Sequence, residues 1–455
     1  MNIVSAIFER HCDDAPAIIH AGGVITYREL HQRVHSISNG LKNHALWPRV
    51  GIPRVALSFP SGPDYVALAL AILDAGGCFL PVPDELTQPE RDQLLRITAA
   101  DLLVTGETRI EALHHAAPPA FPVDEFNALN PAFIRFSSGT TGRAKGIVLS
   151  HESLLDRITA ANQVLRIGRG DRVFWMLPMA HHFAVSIVLY LYHGATTVLA
   201  TSDNLLKPAC DHRVTVIYGS PYHFAMLAAE RAAAPLPDLR LAVSTAFALP
   251  ESTAHLFADK FHLPLRQGLG IIEAGLPLLN VDAAKSKPCS IGKPTPAFAA
   301  RVDEETGELF LSGPGMLDAY LSPWQPRAAI LDDGWLATGD IAECDSDGCY
   351  FLRGRTRTVI NVGGLKCFPE EVEAVLRQHP AVTAARVHAR PHPGLGAVPV
   401  ADIVPADPEH PPSIIELRRH CQQQLAAYKI PIGFQFVSSL PLTSSGKISR
   451  TQLPP

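Results

Sequence analysis

Through the first 300 residues, short apolar β-rich runs alternate with apolar helical stretches, and this alternation restricts the chain to a layered α/β body. RVALSFP (54–60) precedes a helical pattern, CFLPV (78–82) follows it, and DLLVTG (101–106) closes a further unit. TVIYGSP (215–221) and LRLAVST (239–245) repeat the theme, each followed by an Ala- or Leu-rich stretch. Such repetition predicts mostly parallel sheets covered by helices. The longest apolar stretch, YVALALAILDAGGCFLPV (65–82), is interrupted by Asp74, two glycines and Pro81. It reads as a buried helix over 65–75 turning into a buried strand over 77–82, not as a membrane span.

From about residue 300 the texture changes. RVDEETGELFLSG (301–313) reads as a hairpin turning at Glu305–Thr306–Gly307, and ECDSDGCYFLRGR (343–355) as another around Asp345–Gly348. FPEEVEAVLRQHP (368–380) has Pro369 and two glutamates in its first turn and a stop at Pro380, the pattern of a short amphipathic helix. Strands over 384–389 and 398–405 and a helix over 414–428 complete a small α+β module. The expected organisation is an N-terminal α/β body over 1–353 with a β-rich end, a hinge at 354–358 and a mobile α+β C-terminal domain over 359–455. A chain of 455 residues exceeds what one core supports, which agrees with this division.

With 47% hydrophobic and 18% charged residues, against a usual charged share of about 25%, the chain is not disordered. The 39 basic and 44 acidic residues leave a net charge of −5, which implies no large cationic face and argues against nucleic acid as a partner. The eight cysteines form no CxxC pair and read as free, mostly buried thiols in a reducing compartment. No HExxH occurs, and the adjacent pairs His114–His115 and His181–His182 do not share a helix face, so a structural zinc site is not expected. MNIVSAIFERHCDD lacks the basic and apolar regions of a signal peptide, so the expected location is the cytoplasm.

FIRFSSGTTGRAKGIVLSH (133–151) carries the clearest chemistry. A β-run enters Ser137, Ser138, Gly139, Thr140, Thr141 and Gly142, and Lys145–Gly146 leads into a second β-run. Glycines let backbone amides converge on an anion, hydroxyls add donors, and the lysine adds charge. The GxxxxGK[ST] spacing fails, because Arg143 and Ala144 separate Gly142 from Lys145. On composition alone, a hairpin turn with no ligand fits equally well.

Taken with three further motifs, the chain resembles the ANL superfamily of adenylate-forming enzymes, which includes acyl- and aryl-CoA synthetases, peptide-synthetase adenylation domains and luciferases. SSGTTGRAKG matches the family's phosphate loop, WLATGD (335–340) its ribose motif, GRTRTVINVGGLKCFPEEVE (354–373) its hinge segment, and LPLTSSGKISR (440–450) its terminal lysine motif. The matches follow family order from TYREL (26–30) to the end. The resemblance implies a two-step reaction using ATP and Mg²⁺. A carboxylate attacks the α-phosphorus and expels pyrophosphate, and a thiol then displaces AMP. By resemblance, Ser137 to Gly142 and Lys145 would hold the β- and γ-phosphates, and Asp340 with Arg355 the ribose. Thr245, Ala246, Gly268, Leu269 and Gly270 would flank the nucleoside, and Glu273 with Thr140 would ligate Mg²⁺. Lys447 would reach over from the small domain to bridge carboxylate and α-phosphate. Arg357 aligns with the hinge, and Gly363–Gly364 would face the incoming thiol.

Two departures from the family pattern stand out. Leu269–Gly270–Ile271–Ile272–Glu273 replaces the YGxTE motif, so Ile272 stands for the threonine that bonds the α-phosphate and Leu269 for the aromatic that stacks on adenine. Asn361 stands where many relatives carry lysine. The substrate-side motif lies in MLPMAHHFAVSIVLYLYHGATTVLA (176–200), with His181 at its His/aromatic position, named here as a catalytic candidate. This stretch has no Asp or Glu to pair an ammonium, which disfavours an α-amino acid. Tyr218, Gly219, Ser220, Phe224, Gly270 and Ile271, with Pro221 and Phe247 as flat walls, suit a planar aryl acid such as a hydroxybenzoate. A fatty-acid ligase and a catalytically silent ATP-binding regulator are the alternatives. The expected acceptor is coenzyme A or a separate acyl carrier protein, since nothing in this sequence resembles a carrier domain.

Overall fold

A computed structural model describes residues 1–84, 86, 88–114, 121–137, 145–199, 205–230, 236–355, 358–362, 365–392 and 395–441. Ser138, Gly139, Thr140, Thr141, Gly142, Arg357, Gly363, Gly364 and Lys447 lie outside the described residues, and Ser137, Lys145 and Asn361 are described only as strand backbone. The fold is mixed α/β with several sheets, and the chain divides into two compact units. The first comprises residues 1–300, 311–336 and 345–350, and the second 301–310, 337–344 and 351–455.

Two large sheets build the first unit. One runs in the order Lys293–Pro294, Gly275–Leu279, Arg266–Ile271, Leu241–Ser244, Val216–Gly219, Arg172–Trp175, Thr196–Leu199, Pro16–His20, Gly23–Thr26. From Arg266–Ile271 to Pro16–His20 its neighbours are parallel, and antiparallel strands close both edges. The other sheet joins the parallel strands Arg54–Leu57, Cys78–Pro81 and Leu102–Gly106 to the antiparallel pair Pro131–Ser137 and Lys145–Ser150. That pair is the hairpin expected on either side of the phosphate loop. The helix Pro63–Asp74 begins with proline at its first position and is buried from Tyr65 to Leu73. Its sequence is apolar all round because it lies inside the molecule.

In the second unit, the long antiparallel strands Val382–His392 and Gly396–Pro405 carry the helices Pro369–Arg377 and Ile414–Gln422. Val372, Leu376 and Leu417 are fully buried against Val387 and Ile403. The last helix stops at Gln422, short of the expected 428. Residues 427–429 instead form a separate 3₁₀ turn, and Tyr428 and Ile430 pack against the core. The strands Glu308–Ser312, Leu336–Cys344 and Tyr350–Arg355 adjoin in a four-stranded sheet that bears both expected hairpins.

All eight cysteines are free, but only Cys78, Cys349, Cys367 and Cys421 are buried, so the expectation of mostly buried thiols is half met. Among the described residues no helix is long and apolar enough to cross a membrane.

Candidate active site

The parallel strands Arg172–Trp175, Val216–Gly219, Leu241–Ser244 and Arg266–Ile271 bring their carboxyl ends to one edge, the place where open α/β sheets collect ligands. Register sets Trp175 opposite Tyr218 and Tyr218 opposite Val243, so these three share one face. Phe174, Ile217 and Ala242 share the other, which is filled by Phe224 and Leu227 of the helix Pro221–Ala229 and by Phe257 of Glu251–Phe261.

That arrangement corrects one expectation. Phe224 does not wall a pocket: it is fully buried and packs edge-on against Phe257, with ring centroids 5.1 Å apart. The helical period turns Phe224 onto the covered face. Ser220 is also committed locally, since its hydroxyl lies 2.8 Å from His223 Nδ1 in a capping arrangement. Burial lowers the His223 pKa, so the ring is neutral at pH 7 and its Nδ1 accepts from the Ser220 amide and hydroxyl.

Tyr218, Gly219, Thr245 and Gly270 do come together. The Thr245 amide donates to Gly219 O at 3.0 Å. A Cβ on Gly270 would stand 3.1 Å from Thr245 Oγ1 and 3.9 Å from the Tyr218 hydroxyl. Burial raises the Tyr218 pKa, and its hydroxyl bonds with Thr245. Ala246 follows with φ +78°, a left-handed conformation that costs a non-glycine residue about 1–2 kcal/mol. Such strain persists where the surroundings fix it, often beside a ligand. Gly270 is exposed, whereas Leu269 is only 7% exposed and Gly268 packs against Leu276 and Leu279.

Ile271 ends its strand, and Ile272, Glu273 and Ala274 make the turn into Gly275–Leu279. Arg157, on the helix His151–Leu165, grips this turn from beneath. Its Nη1 donates to Ile272 O at 2.8 Å, its Nη2 to Glu273 O at 3.4 Å, and its Nε and Nη2 to Gly315 O at 2.9 and 2.5 Å. Burial pulls the Arg157 pKa down to about 10, against the pull of Asp318 and Glu273, so it remains a cation at neutral pH. Burial likewise lowers Arg135, two residues before Ser137, to about 10, and the Glu273 carboxylate opposes that shift. Glu273 therefore lies in the electrostatic reach of two arginines, the buried Arg157 and the half-buried Arg135.

On the acid side, the Met179–His182 turn is pinned by Ser61, whose Oγ accepts from the Met179 amide at 3.2 Å. His181 is half-buried there, 6.5 Å between centroids from His182, which stands edge-on to Trp175 at 6.1 Å. Trp175 in turn stands edge-on to Tyr190 at 6.1 Å.

In the second unit, Asp340 and Arg355 are brought together across neighbouring strands, with Arg355 Nε 2.7 Å from Asp340 Oδ1. Asp340 is 4% exposed, and Gly339, at φ +72°, shapes the backbone just before it. The Gly339 amide donates to Glu308 at 2.8 Å, and the Thr338 hydroxyl donates to Leu309 O at 2.7 Å. A buried carboxylate held by a half-exposed guanidinium is a prepared acceptor for vicinal hydroxyls.

Sequence reasoning did not find Arg135, Arg157, Trp175 or Tyr190. For Arg157 a signal existed: it falls on the apolar stripe of its helix with Leu154, Ile158, Ala161 and Leu165, where a lone cation implies buried partners.

Residues 5–321 match the AMP-binding enzyme family, and residues 371–447 match the AMP-binding enzyme C-terminal domain. The chain belongs to the AMP-binding enzyme family. It is an adenylate-forming enzyme of the ANL superfamily, an AMP-forming acid–thiol ligase, and this family uses ATP and Mg²⁺. A feruloyl-CoA synthase from Amycolatopsis is 30% identical over 96% of this chain and 95% of its own length. A 2-succinylbenzoate–CoA ligase from Bacillus licheniformis is 28% identical over 97% and 96%. Among solved structures, the o-succinylbenzoate CoA synthetase of Bacillus subtilis in complex with its acyl-adenylate superposes with a TM-score of 0.86, at 24% identity over 99% and 97% of the two chains.

Proposed function

We propose that this AMP-binding enzyme activates a small aryl acid with ATP and passes the acyl group to the thiol of coenzyme A. The observation that carries the acid class is the face shared by Trp175, Tyr218 and Tyr190, an aromatic enclosure beside His181. The stretch 176–200 contains no acidic side chain to pair an ammonium group. Aromatic surfaces around a few polar atoms suit a planar ring better than a long flexible chain. Relatives named for feruloyl and 2-succinylbenzoate thioesters of coenzyme A support the acid class and the acceptor.

In the first step a carboxylate oxygen forms a bond to the α-phosphorus while the bond to the bridging oxygen breaks and pyrophosphate departs. Two anions must meet, so fixed cations carry the catalysis. Lys447 would bridge carboxylate and α-phosphate; Ser137 to Gly142 and Lys145 would hold the outer phosphates; Asp340 and Arg355 would hold the ribose. His181 would close the acid side of the cleft. Mg²⁺ would bind by Glu273, with Thr140, and the phosphate oxygens, the mode in which this ion commonly neutralises phosphate charge. In the second step the thiol sulfur bonds to the acyl carbon, AMP leaves, and the thiol proton passes to solvent. Rotation at 354–358, with Arg357 as the hinge residue, would exchange Lys447 for the Gly363–Gly364 loop between steps.

The test is acid-dependent ATP–pyrophosphate exchange across benzoates, hydroxybenzoates, cinnamates and fatty acids, followed by thioester formation with coenzyme A. Aryl-acid-dependent exchange with AMP as product is expected. Exchange with fatty acids alone would overturn the aryl assignment, and none with any acid would favour a silent regulator.

A further inference from the structure

The aromatic enclosure holds polar atoms that the protein itself does not use. Trp175 is 3% exposed, and its indole Nε1, a donor only, has no hydrogen-bond partner. Tyr190 is 2% exposed, and its hydroxyl makes no hydrogen bond of good geometry, although the Ser186 and Tyr218 hydroxyls lie near it. Leaving a buried donor unmade is costly, and native structures do so where a ligand or ordered water completes the set. Both side chains belong to the face identified above. Trp175 stands in register with Tyr218, whose hydroxyl closes on Gly270 and Thr245, and Tyr190 stands edge-on to Trp175. Across the sheet from Gly270 the strand order places Tyr218 before Trp175, and Tyr190 and His182 each stand edge-on to Trp175. The Trp175 indole therefore lies beyond Tyr218, on the side away from Gly270, with the Tyr190 ring against it.

We propose that Trp175 and Tyr190 select an aryl acid bearing a neutral hydrogen-bond acceptor, such as a ring hydroxyl, methoxy or carbonyl oxygen, at the end remote from its carboxylate. This rests on the aryl-acid reading above and names the substitution that the reading leaves open. Trp175 Nε1–H donates to the distal oxygen, and the Tyr190 hydroxyl donates to the same atom or accepts from a ring hydroxyl. Neutral donors in a buried setting match a neutral acceptor, since a second carboxylate costs more to strip of water than a neutral oxygen does. Discrimination of this kind is strong, because an acid lacking the acceptor displaces water without replacing its bonds.

The test compares wild type, Tyr190→Phe and Trp175→Phe on matched acids, benzoate against 4-hydroxy- and 4-methoxybenzoate and cinnamate against its 4-substituted forms, as kcat/KM for adenylate formation. Wild type is expected to prefer the substituted member of each pair. Each variant is expected to lower that preference about tenfold while changing the unsubstituted acid about threefold or less. A merely structural role would lower both members equally, and a water-filled recess would leave the ratio unchanged; either result overturns the selection. Tyr190→Phe removes one oxygen only, so it keeps the test open should Trp175→Phe fold poorly. Wild-type activity on aryl acids without preference refutes the selection alone, whereas no activity on any aryl acid refutes the aryl reading as well.

Discussion

Arg157→Met is the substitution that most sharply separates support of the site from support of the fold. The guanidinium is 2% exposed and serves three carbonyls, those of Ile272, Glu273 and Gly315. Methionine fills similar volume without donors, so Ile272 O and Gly315 O lose their partner at about 1–1.5 kcal/mol each, or about 2–3 kcal/mol together, while Glu273 O keeps the Leu317 amide at 2.7 Å. For a unit of roughly 330 residues, with an unfolding entropy of about 2.1 cal/mol/K per residue, that lowers the melting temperature by roughly 4 °C. The same loss frees the turn that carries Glu273, and a displacement of the order of 1 Å costs roughly a hundredfold in turnover. Calorimetry and pyrophosphate exchange titrated with Mg²⁺ measure both effects.

The control is Arg240→Met. Arg240 bonds Asp171 at 2.8 and 2.7 Å and the carbonyls of Leu165 and Arg166, at the amino ends of the same parallel strands. It should lose comparable stability and keep its Mg²⁺ dependence and turnover. If Arg157→Met behaves like this control, the claim that Arg157 positions Glu273 is refuted.

Asp340→Asn breaks the pair with Arg355, whose exposure holds the stability cost to about 1 kcal/mol, and should raise the KM for ATP on the order of tenfold; initial rates against ATP check this. Ile272→Thr restores one hydroxyl and should lower the KM for ATP by about two- to tenfold with kcat little changed. His151 accepts from the Ile3 amide at 3.2 Å, and burial pulls its pKa to about 4. The unfolded chain takes up this proton near 6.5 and the folded chain only near 4, so the stabilisation is complete above pH 6.5 and lost as pH falls toward 4. About 2 kcal/mol should be gone by pH 5, and His151→Gln should flatten that part of the melting-temperature profile.

The features legible in the sequence were local ones. The strands on either side of the glycine loop, the hairpins at 301–313 and 343–355, and the proline-initiated helix at 369 follow from short patterns of turn residues and apolar spacing. Asp340 and Arg355 were found by motif, and the sheet that holds them 2.7 Å apart is what motif reading does not show. Trp175 and Tyr190 were invisible because their meaning lies in register: only the pairing of Trp175 with Tyr218 decides which face the indole occupies. Phe224 was misread for the same reason, since an aromatic three residues into a helix looks alike whether it faces a ligand or a core.

Lys447→Ala tests the adenylation account most directly, with two rates measured on one protein. Acid-dependent pyrophosphate exchange should fall about 10²–10³-fold, the loss typical of one preorganised donor at a developing charge. Thioester formation from chemically prepared acyl-adenylate and coenzyme A should proceed within about threefold of wild type. Exchange that survives the substitution unchanged would contradict the claim that this lysine brings the two anions together.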